Sequence, residues 1–427
     1  MRISTSRGRP QVVVYAAITT LALGLAACTS DPVGSDDEPA SDGSLTMWIW
    51  PGGLSDTVVK TVTDDTPGLE TSVIGDDFKQ KLLTSFTAGA DIPDITGVKG
   101  EDMPFFLQDP DLFTDLNTLD IDDIVGEFPE WKLAEATTPD GKLLGLPIDI
   151  GPAGLFYRED ILKKAGLPTD PDEVGAATAT YEDYFKFGEE LQKADPDSYL
   201  EVSLGGFFGK VMGQSETKFV SPDGEFLGES DAVRNAWDLS IEAWDRGLVA
   251  GIGDGSPDWA SAVNAGKLPT LSGAAWYAGD IKSNAADTSG KWRVTQMPGG
   301  PANIGGSFLT IPAATKDKEA ALKVIKELLS PENEAVMYTE TGNFPARTTA
   351  LDEPAMHDGD DFFGGQDTVS VFEKASENMP TVYNSPLDNE VAAPYYTELS
   401  NVETAGKDPE QAWADAVAAA KEALESA

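Results

Sequence analysis

The sequence predicts an α/β fold, because short apolar segments typical of strands alternate with amphipathic segments typical of helices from residue 45 onward. Hydrophobic residues make up 41% of the 427 residues and aromatic residues 9%, which is enough to fill packed cores. The length favours two or three domains. A continuous apolar stretch at residues 45–50 ends at Pro51-Gly52-Gly53, and this pattern is typical of a buried strand in a parallel sheet.

The alternation continues after this strand. A helix is expected next, then a strand at residues 69–74 and a helix at 77–87 whose Phe78, Leu82 and Phe86 share one face. Short strands are predicted at residues 91–96 and 142–148. A second set of elements follows Gly151.

Helix signals are frequent in the second half. Residues 156–160 lead into a short helix that ends at Gly166, and residues 181–193 have apolar side chains at helical spacing. Ser230 is positioned to cap a helix that extends to residue 246, with Trp237 and Trp244 at core positions.

Three more helices are predicted towards the C-terminus. Residues 315–329 have apolar side chains in helical register, and Ser330-Pro331 begins another helix with proline at its first position. The last helix begins at Asp408, where Gln411 completes the pattern of a capping box.

The N-terminal segment has the features of a secretory signal. Arg2, Arg7 and Arg9 precede an apolar stretch, residues 12–27, which is shorter than the roughly 20 residues of a spanning helix. It ends in Leu-Ala-Ala-Cys28, which resembles a bacterial lipobox and implies lipidation of Cys28; an ordinary secretory signal is the alternative. We expect residues 1–27 to be removed and residues 28–44, rich in Asp, Ser, Pro and Gly, to be a disordered tether.

Charge and composition exclude several classes of function. The chain has 73 Asp and Glu against 30 Lys and Arg, a formal charge of −43, which argues against nucleic acid as a partner. Cys28 is the only cysteine and His357 the only histidine, so a disulfide framework, a Cys/His zinc site and any Ser-His or Cys-His machinery that needs a second histidine are excluded.

Several segments, taken in order, resemble one family. They are LTMWIWPGG, SFTAGADIPDI, GKLLGLPIDIGPAGLFYREDILKKAGLP, AGKLPTLSGAAWYAGD and the stretch from GGSFLTIPAATKDKEAALKVIKELL to NFPAR. With the lipobox, they are similar to extracellular solute-binding proteins of carbohydrate ABC importers, the family that includes maltose-binding proteins. The resemblance covers residues 28–427 and implies a two-lobed periplasmic-binding-protein-like fold with a ligand cleft between the lobes.

The resemblance also implies how the chain is divided. Lobe 1 is expected at residues 45–149 plus 305–350, and lobe 2 at residues 152–302 plus 351–427. Crossover segments at residues 148–152 and 300–306 are rich in Gly and Pro, as hinges that absorb backbone rotation can be. The implied partners are a carbohydrate and the permease subunits of the importer, with membrane contact only through the lipid anchor. A monomer without cofactor, metal or catalytic residues is expected on the outer face of the cytoplasmic membrane.

A sugar offers an apolar face to aromatic rings and hydroxyl groups to polar side chains, so the cleft is expected to combine both. The aromatic candidates at predicted strand ends are Trp50, beside Gly53, and the pair Trp276 and Tyr277. The remaining candidates from the resemblance are Glu101, Asp102, Asp149, Phe207, Phe208, Gly306, Arg347 and Tyr395. Core packing, plain surface or a structural salt bridge is the alternative for these positions.

Further functions stay open on sequence grounds. A secreted glycoside hydrolase needs only two suitably spaced carboxylates, and sequence spacing among 73 acids does not reveal such a pair. A receptor for a non-sugar solute such as a polyol is also compatible with the sequence, and so is a structural surface protein. The glycines of residues 251–255 lack the spacing of a nucleotide turn, and residues 120–123 lack the glycine of an EF-hand loop.

Overall fold

The computed structural model describes residues 43–75, 77–377, 379 and 382–426. The predicted signal, the lipidation site at Cys28 and nearly all of the predicted tether lie outside the described residues. No helix within the described ranges has the length and apolar character needed to cross a membrane.

Ten strands and sixteen α-helices occur in the described residues. The strands are β1 (Leu45–Ile49), β2 (Leu69–Val73), β3 (Ile95–Lys99), β4 (Gly145–Pro147), β5 (Asp149–Ile150), β6 (Ala153–Arg158), β7 (Thr270–Ala274), β8 (Trp292–Gln296), β9 (Ser307–Thr310) and β10 (Phe344–Pro345). The helices are α1 (Asp56–Asp65), α2 (Phe78–Ala88), α3 (Met103–Phe106), α4 (Glu130–Ala134), α5 (Glu159–Ala165), α6 (Pro171–Ala177), α7 (Tyr181–Ala194), α8 (Leu204–Met212), α9 (Asp231–Asp245), α10 (Pro257–Ala265), α11 (Tyr277–Asn284), α12 (Lys318–Leu328), α13 (Pro331–Thr341), α14 (Val369–Ser376), α15 (Asp388–Ala405) and α16 (Pro409–Ser426). Short 3-10 helices lie at Pro110–Leu112, Leu116–Thr118, Val125–Glu127, Ala286–Thr288, Thr348–Asp352, Pro354–His357 and Asp361–Phe363.

The first sheet has five strands in the order β2-β1-β3-β9-β4. Strand β1 pairs in parallel with β2 and β3, whereas β9 is antiparallel to β3 and β4. Because β1 and β3 are parallel neighbours, their carboxyl ends meet at the same edge of the sheet, where ligands of open α/β sheets bind.

The second sheet has three strands in the order β7-β6-β8, and both pairings are antiparallel. Every residue of β6 is buried, and its side chains alternate between two cores. Phe156 packs on one side, while Leu155 and Tyr157 pack on the other with helices α7, α8, α9, α15 and α16.

Two chain segments pass between the sheets side by side. In the first, β5 pairs with β10 in a two-stranded ribbon. In the second, Ile304 N donates to the Gly151 carbonyl oxygen at 2.8 Å, and Gly151 N donates to Asn303 Oδ1 at 2.9 Å. Backbone pairing therefore holds the two crossovers together at the base of the cleft.

Most predicted elements are confirmed, and so are their end signals. Ser230 Oγ accepts from Val233 N, Ser330 Oγ accepts from Asn333 N, and Gly166 ends α5 in the left-handed conformation. Only half of the predicted capping box of α16 is present. Asp408 accepts from Gln411 N at 3.0 Å, but the Gln411 side chain donates to Asp415 instead of reaching back.

One expectation is wrong, and strand β6 and helix α8 were not predicted. The strand expected at residues 91–96 begins at Ile95, because Asp91 has a positive φ of 54° and Asp94 accepts hydrogen bonds from Thr46. Residues 153–158 form strand β6, although residues 156–160 were expected only to lead into a helix. The Gly-rich stretch around Phe207, for which no element was predicted, forms helix α8, which Ser203 caps.

Candidate ligand-binding cleft

Two adjoining cavities open between the sheets and share Glu101 and Gly305. The larger one, of about 490 Å³, is here called the tryptophan cavity, and its lining includes Trp50, Gly53, Lys99, Glu101, Asp149, Trp276, Asp280, Gly305, Gly306, Ser307, Glu340 and Asn343. The smaller one, of about 270 Å³, is called the tyrosine cavity, and its lining includes Glu101, Pro104, Glu135, Gly209, Met212, Lys218, Asn303, Gly305, Asp388, Asn389 and Tyr396.

Trp50 lies directly after β1, at the carboxyl edge of the first sheet. Its indole is seated on two glycines: a Cβ atom at Gly53 would lie 2.8 Å from Trp50 Cε2, and one at Gly97 would lie 2.5 Å from Cζ3. Phe78 packs edge-on at 5.3 Å, and the Lys99 ammonium lies 5.6 Å from the ring centre. The ring is therefore held in one position while remaining half-exposed to the cavity.

Trp276 reaches the same cavity from the second sheet, between the end of β7 and helix α11. Its Nε1 donates to the Ile304 carbonyl oxygen at 3.1 Å, which fixes the indole against the second crossover. A tryptophan from each sheet thus faces one half-buried space, and each offers an apolar face to a ligand.

The floor of the cleft is built around a buried lysine. Lys132 is fully buried, and its Nζ donates to Glu135 Oε2 at 2.7 Å and to the Gly305 carbonyl oxygen at 3.4 Å. Gly306 has a φ of +92°, and a Cβ there would lie 2.6 Å from Lys132 Nζ. Only glycine permits this close approach in this backbone conformation.

Asp149 lies in the first crossover, next to this floor. Its Oδ1 accepts from Ser307 N at 2.9 Å, so the carboxylate links the two crossovers. Burial raises the pKa of the Asp149 carboxyl to about 7, while Lys132 and the hydrogen bond from Ser307 act in the opposite direction.

One face of helix α15 forms a wall of the tyrosine cavity. Asp388, Asn389, Ala392 and Tyr396 line that cavity, and Asn389 Nδ2 crosses to the Glu101 carbonyl oxygen at 3.2 Å. Tyr396 is 40% exposed and so keeps a ring face available to a ligand.

Half of the candidates from sequence lie in the cleft. Trp50, Gly53, Asp149, Trp276 and Gly306 line the tryptophan cavity, and Glu101 lines both cavities. The structure therefore brings together six of the twelve candidate positions.

Four aromatic candidates are packed in the core and do not line the cleft, contrary to the expectation that they contact the ligand: Phe207, Phe208, Tyr277 and Tyr395. Phe207, Phe208 and Tyr395 lie in the core that helices α7, α8, α9, α15 and α16 form beside the second sheet, and the ring centres of Phe208 and Tyr395 are stacked 6.1 Å apart. The Tyr395 hydroxyl donates to the Gly228 carbonyl oxygen at 2.7 Å. Tyr277 is 5% exposed, and its hydroxyl donates to Asp254, so none of these side chains faces the two cavities.

Arg347 and Asp102 were expected to contact the ligand, but both are engaged in ion pairs with other side chains. The buried Arg347 guanidinium donates to Glu127 Oε2 at 2.7 Å and to the Leu329 carbonyl oxygen at 2.7 Å. Asp102 pairs with Lys79 at 2.8 Å. Neither side chain is among those that line the two cavities.

Sequence reasoning missed several polar groups that line the cleft. They are Lys99, Lys218, Asp280, Asn303, Glu340, Asn343, Asp388 and Asn389. Lys99 is recoverable from sequence, because it ends a strand at the sheet edge where ligands bind. Lys218 lies in an irregular segment with no comparable signal.

The arrangement suits a neutral polyhydroxylated ligand. Ammonium and amide groups donate, carboxylates and backbone carbonyls accept, and the tryptophans contact apolar faces. Within the described ranges, no group of three or more Asp, Glu, His or Cys side chains is arranged to hold a metal ion.

Two lobes, paired crossovers and a cleft between them define a two-lobed binding protein. A model of the family described as bacterial extracellular solute-binding protein matches residues 57–364, and the chain belongs to this family. The family resemblance of the sequence and the two-lobed fold are thereby confirmed.

Individual relatives agree with this assignment. The chain is 27% identical to the lactose-binding protein of Rhizobium radiobacter over 380 residues, which cover 82% of this chain and 87% of that protein. It is 26% identical to the galactooligosaccharide-binding protein of Bacillus subtilis (strain 168) over 287 residues, 66% of each chain. A solved structure of an extracellular solute-binding protein of family 1 has a TM-score of 0.80 and 26% identity, and the match covers 89% of this chain and 99% of that one.

Proposed function

We propose that this chain is the sugar-binding receptor of an ABC importer, which captures an oligosaccharide in the cleft and delivers it unaltered to the permease. The observation that carries the proposal is the tryptophan cavity, where Trp50 and Trp276 from opposite lobes face a space lined by Lys99, Glu101 and Asp280. The names of the lactose- and galactooligosaccharide-binding relatives support a sugar as the ligand.

The proposed lobes are residues 45–149 plus 305–350 and residues 152–302 plus 351–427. They close about the two crossovers, at residues 148–152 and 300–306, where few backbone torsions need to change. Ligand contacts to both lobes then favour the closed form, since a ligand shifts an equilibrium by its differential affinity for the two states.

The proposal is tested by titrating the purified protein with lactose, galactobiose, arabinobiose and their monosaccharides. Calorimetry and tryptophan fluorescence measure binding, and chromatography of the recovered sugar measures turnover. A saturable response with intact sugar is expected. Cleaved sugar would favour a glycoside hydrolase, and binding only of a polyol would favour a non-sugar receptor.

Two substitutions test where the ligand binds. Trp276→Ala removes a platform and Asp149→Ala removes the link between crossovers, so each is expected to weaken sugar binding. Trp244→Ala, a partly buried tryptophan that packs against the second-lobe core, is the matched control. Unchanged affinity in both cleft variants would show that the site lies elsewhere.

We also propose that Cys28 carries the lipid that anchors the protein, as a monomer, to the outer face of the membrane. Cells grown with an alkyne-labelled palmitate are expected to label the wild type but not Cys28→Ser, and sedimentation is expected to give a monomeric mass for the body.

A further inference from the structure

We infer that the tyrosine cavity is a second sugar-ring subsite, in which Lys218 donates hydrogen bonds to ring hydroxyls and Tyr396 provides the stacking surface. The inference rests on the proposed function, because it places a first ring in the tryptophan cavity. The ligand is then at least a disaccharide, and its second ring lies beyond Glu101 and Gly305, which the two cavities share.

Lys218 is a half-buried cation without a carboxylate within salt-bridge distance. In the part of the chain that the structure describes, three lysines are half-buried and have no carboxylate within salt-bridge distance: Lys99, Lys218 and Lys318. Lys99 lines the tryptophan cavity and Lys218 the tyrosine cavity, whereas Lys318 is at the first turn of α12. An ammonium that loses water without gaining a partner raises the free energy of the protein, and ligand hydroxyls would offset this cost.

The carboxylates nearest to Lys218 are engaged with other donors. Asp388 accepts from Phe219 N and Val220 N at 3.0 Å and from Ser385 N at 2.6 Å. Glu135 accepts from the buried Lys132. Burial lowers the pKa of Lys218, while the charges of Asp388 and Glu135 act in the opposite direction. The ammonium therefore lines the cavity with donors that are not used by these carboxylates.

Tyr396 is a rigid platform in the same cavity. A Cβ atom at Gly209 would lie 3.0 Å from the Tyr396 hydroxyl oxygen, and one at Gly205 would lie 3.3 Å from Cδ1, so the ring rests on two glycines of α8. Phe208 contacts the ring edge-on at 5.5 Å. Trp50 is seated on two glycines in the same way, so the cleft holds two immobilised aromatic rings, one in each cavity.

The test compares disaccharides with a monosaccharide in matched variants. Lactose, galactobiose and galactose are titrated by calorimetry into the wild type, Lys218→Met and the control Lys318→Met. We expect Lys218→Met to weaken disaccharide binding at least tenfold, as for a hydrogen bond from a charged donor, and to leave galactose binding within twofold. Lys318→Met is expected to match the wild type, and Tyr396→Ala but not Tyr396→Phe to behave like Lys218→Met.

A second measurement uses the unaltered protein. Amine acetylation with an N-hydroxysuccinimide ester, followed by peptide mass spectrometry, reports the accessibility of each lysine. We expect a disaccharide to protect Lys218 from acetylation and galactose not to protect it, while Lys318 reacts equally in both cases. This measurement does not depend on the folding of any variant.

The outcomes separate the two proposals. If the wild type binds disaccharides but Lys218→Met binds them equally well, or if galactose protects Lys218 as fully as a disaccharide, the second subsite is wrong and the receptor function stands. If the wild type binds none of the sugars, the receptor function for these sugars fails and the subsite fails with it.

Discussion

Replacement of Lys132 by methionine tests whether the buried ammonium holds the cleft floor together. Methionine keeps most of the packing against Phe308, whose ring centre lies 4.6 Å from Lys132 Nζ, but it removes the charge and both hydrogen bonds. Breaking a buried ion pair costs about 3–5 kcal/mol. Glu135 keeps 15% of its side chain exposed and is partly hydrated, so we expect the lower end, about 3 kcal/mol.

Urea unfolding and calorimetry measure this loss. Unfolding entropy of roughly 2 cal/mol/K per residue over about 380 described residues converts ~3 kcal/mol into a Tm decrease of ~4 °C. Lys326→Met is the matched control, because it removes an exposed pair with Asp123 that contributes at most ~1 kcal/mol. Sugar affinity is also expected to fall, since Gly305 lines both cavities.

The double variant Lys132→Met/Glu135→Gln tests whether the stability loss comes from the unpaired charge of Glu135. It leaves no unpaired charge at Glu135, so we expect it to be more stable than Lys132→Met alone. Equal stability of Lys132→Met and Lys326→Met would refute the reasoning, as would a double variant in which the two losses simply add.

Three further outcomes are expected. Arg347→Ala should lower the free energy of unfolding in urea by about 3 kcal/mol, because it breaks the largely buried ion pair with Glu127. Sugar affinity measured by calorimetry should be unchanged, and weakened binding would show that Arg347 contributes to the site. Glu334 is fully buried, and burial raises its pKa above 4.5, so folded wild type holds this proton at pH values where the unfolded chain has released it. Wild-type stability should therefore fall relative to Glu334→Gln as pH rises above 4.5, by up to ~1.4 kcal/mol per pH unit; a constant difference would contradict this. Gly306→Ala should lower the free energy of unfolding in urea by ~2 kcal/mol more than the control Gly89→Ala. A Cβ at position 306 meets Lys132, whereas one at position 89 has open space. Equal losses would show that the cleft floor relaxes.

Local signals predict the elements at the start of the first sheet. Strand β1 and helices α1 and α2 have clear periodicity and end at glycines or caps, so their sequence alone places Trp50 at a strand end. Proximity to the cavity follows from strand order, which brings Lys99 and Glu101 beside Trp50. The strand order itself is not encoded in any single segment.

Side-chain direction explains the incorrect candidates. Residues 391, 395, 399 and 402 of α15 have the spacing of a buried face, which directs Tyr395 into the core and its neighbour Tyr396 to the cleft. That distinction is available from sequence by counting along the helix. By contrast, Arg347 pairs with Glu127, which lies 220 positions away in the sequence, and such a long-range ion pair has no local sequence signal.

The core that runs between the lobes constrains how this protein unfolds and moves. The ring centres of Phe344 in β10 and Phe372 lie 6.1 Å apart, and those of Phe372 and Phe156 in the second sheet lie 5.9 Å apart. Apolar side chains therefore connect the two sheets beside the crossovers. Neither lobe keeps a complete core when separated from the other. We therefore expect one cooperative melting transition rather than two, and lobe motion that pivots about this aromatic contact without separating it.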